Sequence, residues 1–193
     1  MIPERLTERL RGTRHHKETL LAISGSRRPD PQTAAACGEL LHILLDLRRE
    51  RMVRVLVGDA DGIDAITRAR IRDAQVYRAE SREARHLVSR SLLMVSDLDM
   101  FRMARVTNAL LLGFPSKACP SSILPVNRWV PGCRDDGQRD VSGTWSTLGV
   151  AAGKGIPVAV YLTEQRLAAP TTGAWNFRYL GGGWWLHEEA RPV

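Results

Sequence analysis

Covalent and metal cross-links have little to work with in this chain. Its three cysteines, Cys37, Cys119 and Cys133, lie far apart and form no CxxC or His-x-x-His pattern, which argues against a disulfide framework and a zinc site. They read as free thiols, and neither a metal nor a cofactor is expected. Long hydrophobic runs are also missing. The longest, 109–114 and 156–162, fall far short of the roughly 20 residues that cross a bilayer, so no membrane segment is expected. Met1-Ile2-Pro3-Glu4-Arg5 alternates charge with no apolar stretch behind it; it does not read as a secretory leader, and a cytoplasmic location is the expectation. Gly 16 and Pro 10 are ordinary usage, and the chain shows no internal repeat or low-complexity tract, which excludes collagen-like and solenoid architectures. Lysine is scarce: Lys17, Lys117 and Lys154 are the three among 28 cations.

What remains is an ordinary globular composition. With 193 residues, 44% of them hydrophobic, the chain can bury one core of conventional size. The net charge of +7 and a pI near 10.0 suit an anionic partner, either a nucleic acid or a smaller phosphorylated ligand. The distribution favours the smaller ligand. From Glu4 to Glu18 and from Arg48 to Arg54 the arginines alternate with acids, the pattern of a solvated helix face rather than of a strip that tracks phosphates.

The periodicity predicts a parallel α/β sheet. Residues 1–19 form a polar, helical leader. Leu20 to Ser24 is a short apolar run ending at Gly25-Ser26-Arg27-Arg28-Pro29-Asp30, a buried strand feeding a loop, and Thr33 to Arg49 carries Ala36, Leu40, Ile43, Leu44 and Leu47 on one helical face. The cycle repeats with a strand at 53–57, a turn at 58–62 and a helix over 63–74. Two successive strand-loop-helix units imply parallel pairing with helices on both faces. A brief strand at 76–78, a helix over 81–100, a central strand over 109–114, a small-residue helix from Ser142 through Ala152 and a last strand at 156–162 complete a domain spanning 20–162. Residues 116–141 form a long loop rich in proline and glycine, expected to lid a site. The aromatic and glycine-rich extension over 163–193 reads as a hairpin, packed on the domain or across a dimer.

Three loops fall at carboxyl ends of parallel strands, each opening a helix: GSRRPD from Gly25, GDADGID from Gly58 and SGTWST from Ser142. Glycine allows close approach of an anion, free amides and the helix dipole favour it, and Ser26, Ser142 and Thr144 offer hydroxyls, with Arg27 as a guanidinium fork. In open α/β sheets ligands lie at these strand ends. Neither GxxxxGK[ST] nor GxGxxG is present, which excludes the two commonest nucleotide fingerprints.

The ordered set GSR, then GxAxGxD (Gly58, Ala60, Gly62, Asp64), then Arg90 with Met94, then a strand ending at Phe114-Pro115, then SGT followed by GIPV resembles the SLOG superfamily. That group includes the DprA/SMF, LOG and YspA-like proteins, of which the YspA-like branch is the best fit. The resemblance covers about 20–162. It implies a Rossmann-like domain that binds a nucleotide or a nucleotide-derived ligand of ADP-ribose, NAD or nucleoside monophosphate type, with Gly25 and Ser26 on phosphate or sugar. It also implies a second wall over Gly58, Asp59, Ala60 and Gly62, with Gly143 and Thr144 on phosphate and Arg90 on an anionic group. The LOG branch cleaves an N-glycosidic bond with a glutamate in PGGxGTxxE; here Pro115 is followed by Ser116-Lys117, and Thr147 stands at the glutamate position. Binding or sensing by a dimer is therefore the expectation. A hydrolase or transferase using Asp59, Asp61 or Asp140, and DprA-like single-stranded DNA binding, are the alternatives.

Several of these residues have plain structural readings too. Asp64 suits a ribose hydroxyl and equally suits dipole compensation in the first turn of a helix. Arg90 is by spacing alone a solvated helix residue, and Trp129 is an ordinary packing anchor. His15, His16, His42 and His86 have no sequence partner for nucleophilic or metal chemistry.

Overall fold

A computed structural model describes residues 1–12, 18–50, 52–103, 107–130, 142–163, 169–171 and 173–188. In chain order the elements are α1 (Glu4–Arg11), β1 (Glu18–Gly25), α2 (Pro31–Glu50), β2 (Met52–Gly58), α3 (Ile63–Arg70), β3 (Gln75–Tyr77) and α4 (Ala84–Met103). These are followed by β4 (Thr107–Phe114), α5 (Gly143–Gly153), β5 (Val158–Tyr161), β6 (Phe177–Gly181) and β7 (Trp184–His187). The seven strands make one sheet in the order β3-β2-β1-β4-β5-β7-β6. The first five are parallel, with Leu21 opposite both Val55 and Leu110, and the final hairpin adds to β5 antiparallel. The chain is thus a mixed α/β protein of Rossmann-like form. No helix among the described residues is long and apolar enough to cross a membrane.

Because strand side chains alternate between faces, each central strand feeds two cores. Leu21 and Ile23 of β1 join Leu110, Leu112 and Phe114 of β4 under α1, α2 and α3. Leu20 and Ala22 join Ala109 and Leu111 under α4 and α5. The helices hold these faces by spacing: Ala36, Cys37, Leu40, Leu41, Leu44 and Leu47 are the buried apolar stripe of α2, and Met94, Val95 and Leu98 that of α4. Burial pushes the Cys37 thiol up to about 11 and the Cys119 thiol up to about 12, so both are protonated at neutral pH. Cys133 lies outside the described residues.

Four expectations are refined. The helix expected over 63–74 ends at Arg70, because Ile71 turns into the first core with φ −110° and ψ 85°, and Asp73 beyond it pairs with Arg48 of α2. The helix expected over 81–100 begins at Ala84. A turn precedes it in which the Ser81 hydroxyl accepts from the Glu83 amide at 3.2 Å and Glu83 O accepts from the His86 and Leu87 amides. The polar leader is docked: Leu6 and Leu10, four residues apart, are fully buried in the first core. Arg9 of α1 reaches Asn108, the Ala109 carbonyl at 3.3 Å and Glu188 at 2.6 Å. It thereby ties the leader to β4 and to the chain after β7.

The fourth refinement concerns the loop expected over 116–141. Its described part, 116–130, runs along the outer side of α5. The Trp145 indole donates to Lys117 O at 2.9 Å, the Ser146 hydroxyl to Val130 O at 2.8 Å and the Trp175 indole to Ile123 O at 2.8 Å. Val126 backbone atoms crowd Gly153 so closely that a side chain there would collide with them. The remainder, 131–141, lies outside the described residues. The described C-terminal extension is a hairpin on the domain itself, with Trp175 and Phe177 packed against Trp145 and His187 packed against Trp175 and Phe177 in turn.

Candidate functional site

Strand order reverses between β1 and β4, whose carboxyl ends meet at Gly25 opposite Phe114. From β1 the chain leads to α2, and from β4 to α5, on opposite faces, which leaves a crevice at this end of the sheet. The Ser26 amide donates to Phe114 O at 2.9 Å, and Ser26 O accepts from the Ile63 amide at 3.1 Å. The first two glycine loops are thus stitched together beside the buried Pro115.

Most of the glycines here serve contact between loops. A Cβ at Gly25 would lie 2.6 Å from Ile63, and one at Gly62, where φ is +70°, would press into the Ser26 carbonyl and lie 2.6 Å from Arg27 O. Gly58 is hemmed in by the Asp64 carboxylate and by Arg90, whose Cζ would be 3.2 Å from a Cβ. Gly143 differs. It is exposed, and among the described residues nothing lies within 4 Å of where its side chain would begin.

Four charged groups close on the second loop. The Arg90 guanidinium, only 13% exposed, donates to Asp59 Oδ1 at 2.5 Å, and the Ala79 amide donates to Asp59 Oδ2 at 3.1 Å. Burial works to raise the Asp59 pKa, but the Arg90 and Ala79 hydrogen bonds outweigh it and hold the carboxyl below its ordinary value. Arg68 Nη1 donates to Gly58 O at 2.6 Å and to Ala60 O at 3.0 Å, fixing the loop backbone. Asp64, at 4% exposure, is one turn before Arg68 on α3, and its Oδ1 has no hydrogen-bond partner among the described residues. Burial pushes its pKa up to about 6, against the opposing pull of Arg90, the Ala60 amide and Arg68.

The three helix N-termini are not equivalent. At α2 the Asp30 carboxylate accepts from the Thr33 amide at 2.9 Å and the Thr33 hydroxyl at 2.6 Å, so that terminus already holds an anion of its own. At α3 the buried Asp64 occupies the first turn. At α5 the Ser142 hydroxyl accepts from the Trp145 amide at 3.4 Å, and Gly143 stands open. Thr144 is 8% exposed. Thr147 is buried, and its hydroxyl donates to Gly143 O at 2.7 Å.

The structure therefore gathers Gly25, Ser26, Gly58, Asp59, Ala60, Gly62, Asp64 and Arg90 into one linked cluster with Pro115 at its edge. Arg27 is exposed on the loop between β1 and α2. Among the described residues no hydrogen bond or ion pair joins Ser142, Gly143 or Thr144 to Arg90 or Asp59; they lie apart from that cluster in the bonding pattern, at the start of α5. Arg90 points to the expected loop but is engaged by Asp59. Sequence reasoning missed Arg68, although its place four residues after Asp64 on an eight-residue helix was visible. It also missed that Asp30 closes the first helix terminus. No family model, curated protein or solved structure matches the chain.

Proposed function

We propose that this chain is a SLOG-like protein that binds a nucleotide or a nucleotide-derived ligand, of ADP-ribose, NAD or nucleoside monophosphate type, at the carboxyl ends of its parallel strands. The observation that carries this reading is the contrast among helix N-termini at the β1/β4 crevice. Asp30 caps α2 and the buried Asp64 lies in the first turn of α3, whereas α5 begins at Gly143, which is exposed and, among the described residues, has nothing within 4 Å of where a side chain would begin, beside Ser142 and Thr144. First-turn amides have no intrahelical acceptor, and the helix dipole makes that end attractive to phosphate. Arg90, braced by Asp59, supplies the cationic wall across the crevice, and Gly25 and Ser26 the floor.

Binding without cleavage is favoured over the hydrolase alternative. The Thr147 hydroxyl is committed to Gly143 O, and Asp59 is tied to Arg90 and the Ala79 amide; Asp61 is exposed, and Asp140 lies outside the described residues. Single-stranded DNA binding is disfavoured by pairing of the arginines: Arg48, Arg54 and Arg102 meet Asp73, Glu18 and Asp99.

The test is thermal melting with AMP, ADP-ribose, cyclic ADP-ribose and NAD, with released base followed in the same samples. A true ligand at about 100 times its Kd adds roughly 2.7 kcal/mol, which Gly143→Asp abolishes by placing a carboxylate at the phosphate site. Stabilisation that survives Gly143→Asp refutes the phosphate assignment, and release of base converts the reading to a hydrolase. A steep fall of affinity with salt on oligonucleotides, without a nucleotide response, turns it to DNA.

A further inference from the structure

A cavity of about 300 Å³ opens at the same end of the sheet on the α2 face, among Gln32, Ala36, Glu39, Tyr161, Gly182 and Trp184. Its volume matches the low end of small-molecule sites, roughly 300 to 1,000 Å³. It adjoins the crevice through two connections. Gln32 follows Asp30 by two residues in the first turn of α2. The Tyr161 ring, at the carboxyl end of β5, has its centroid 6.4 Å from that of Phe114, whose carbonyl accepts from the Ser26 amide.

The lining has a definite chemistry. Tyr161 and Trp184 meet edge to face with centroids 5.4 Å apart, an aromatic wall suited to a planar ring. Gln32 and Glu39 add an amide, which both donates and accepts, and a carboxylate, which only accepts. Glu39 Oε2 already takes an N–H donor, the Met1 amino group at 2.8 Å, in a pair exposed on both sides and for that reason cheaply displaced. The hairpin shapes this wall: Gly182 has φ +56°, and a side chain there would meet Met1 O at 2.9 Å.

We infer that this cavity receives the aminated heteroaromatic base of the nucleotide ligand, stacked on Tyr161 with its exocyclic amino group donating to Glu39, while the phosphate lies across the crevice at Gly143. The inference rests on the function proposed above and extends it. It gives the C-terminal hairpin a part in recognition.

The test is calorimetric titration of the full chain with AMP, IMP, adenosine and ribose 5-phosphate, using Glu39→Gln, Tyr161→Ala, Tyr161→Phe and Gly143→Asp after melting shows each to be folded. AMP binds at least tenfold more tightly than IMP, which presents a carbonyl in place of the amino group. Glu39→Gln and Tyr161→Ala weaken AMP and adenosine at least tenfold, leave ribose 5-phosphate unchanged, and Tyr161→Phe restores binding. Wild-type affinity for AMP in Glu39→Gln and Tyr161→Ala, or equal binding of AMP and IMP, overturns the base site while the phosphate site stands on Gly143→Asp. Adenosine binding lost in those variants, with ribose 5-phosphate never bound and Gly143→Asp silent, supports the base site and overturns the phosphate reading. Absence of binding by all four overturns both.

Discussion

Asp64→Asn alters one charge in a place from which water is excluded, and its effect follows from linkage. Asp64 is 4% exposed, and its Oδ1 has no partner among the described residues. Burial raises its pKa from 3.8 to about 6, and Asp59 adds to the rise while Arg90, the Ala60 amide and Arg68 oppose it. A carboxyl whose folded pKa lies above its unfolded value favours the folded state when protonated, so stability is highest at low pH and is lost as pH climbs through the folded pKa. A shift of about two units amounts to roughly 3 kcal/mol at pH 8, about half of it lost between pH 5 and 8. At roughly 2 to 4 °C per kcal/mol for a chain of this size, the Asp64-dependent fall in Tm between pH 5 and 8 is about 3 to 6 °C. Asn cannot ionise, and any fixed cost of its buried amide is the same at both pH values. The wild-type Tm minus that of Asp64→Asn therefore falls by this amount from pH 5 to pH 8 in calorimetry. Parallel pH curves for the two proteins would refute the assignment of a buried, unpartnered carboxyl at Asp64.

The glycines of the strand-end loops separate by contrast. Gly62→Ala places a Cβ against the Ser26 carbonyl at φ +70° and should cost more than about 1 kcal/mol, whereas Gly143→Ala stays within about 0.5 kcal/mol in denaturant titrations. Equal effects would mean the loops are not stitched as described. Asp30→Ala removes the cap of α2 and the partner of Thr33; a loss of about 1 kcal/mol is expected, and an unchanged melting curve would show that Asp30 does not close that terminus. Trp145→Phe keeps the core ring but deletes the bond to Lys117 O, so limited proteolysis between 116 and 130 should accelerate at unchanged secondary structure by circular dichroism.

Much of the scaffold was legible because its periods are strong. The continuous apolar run of β1 is buried as expected, and the three-and-four spacing of α2 holds at Ala36, Leu40, Leu44 and Leu47, with Ile43 only partly buried. The shorter elements were harder to bound. The end of α3 is set by Ile71 entering a core built from distant strands and by the Arg48 to Asp73 pair, neither of which leaves a local trace. The leader read as solvated because its charges outnumber its leucines, yet Leu6 and Leu10 were enough to dock it. At the candidate site the loops were visible as glycine clusters. Their occupancy was not: Asp30, Arg68 and Asp59 act through bonds to partners whose proximity only the fold creates, so a reading by residue type made Arg90 look freer than it is.

The position of the terminal hairpin bears on how copies of this protein can meet. Since β7 inserts between β5 and β6, the described sheet is bounded on one side by β6, five residues with a register irregularity between Tyr179 and Gly181, and on the other by the three-residue β3. Short and irregular margins are poor templates for strand addition. An incoming strand would find few consecutive amides and carbonyls to pair with at either rim. The described sheet is therefore poorly suited to being continued edge to edge from one copy into another.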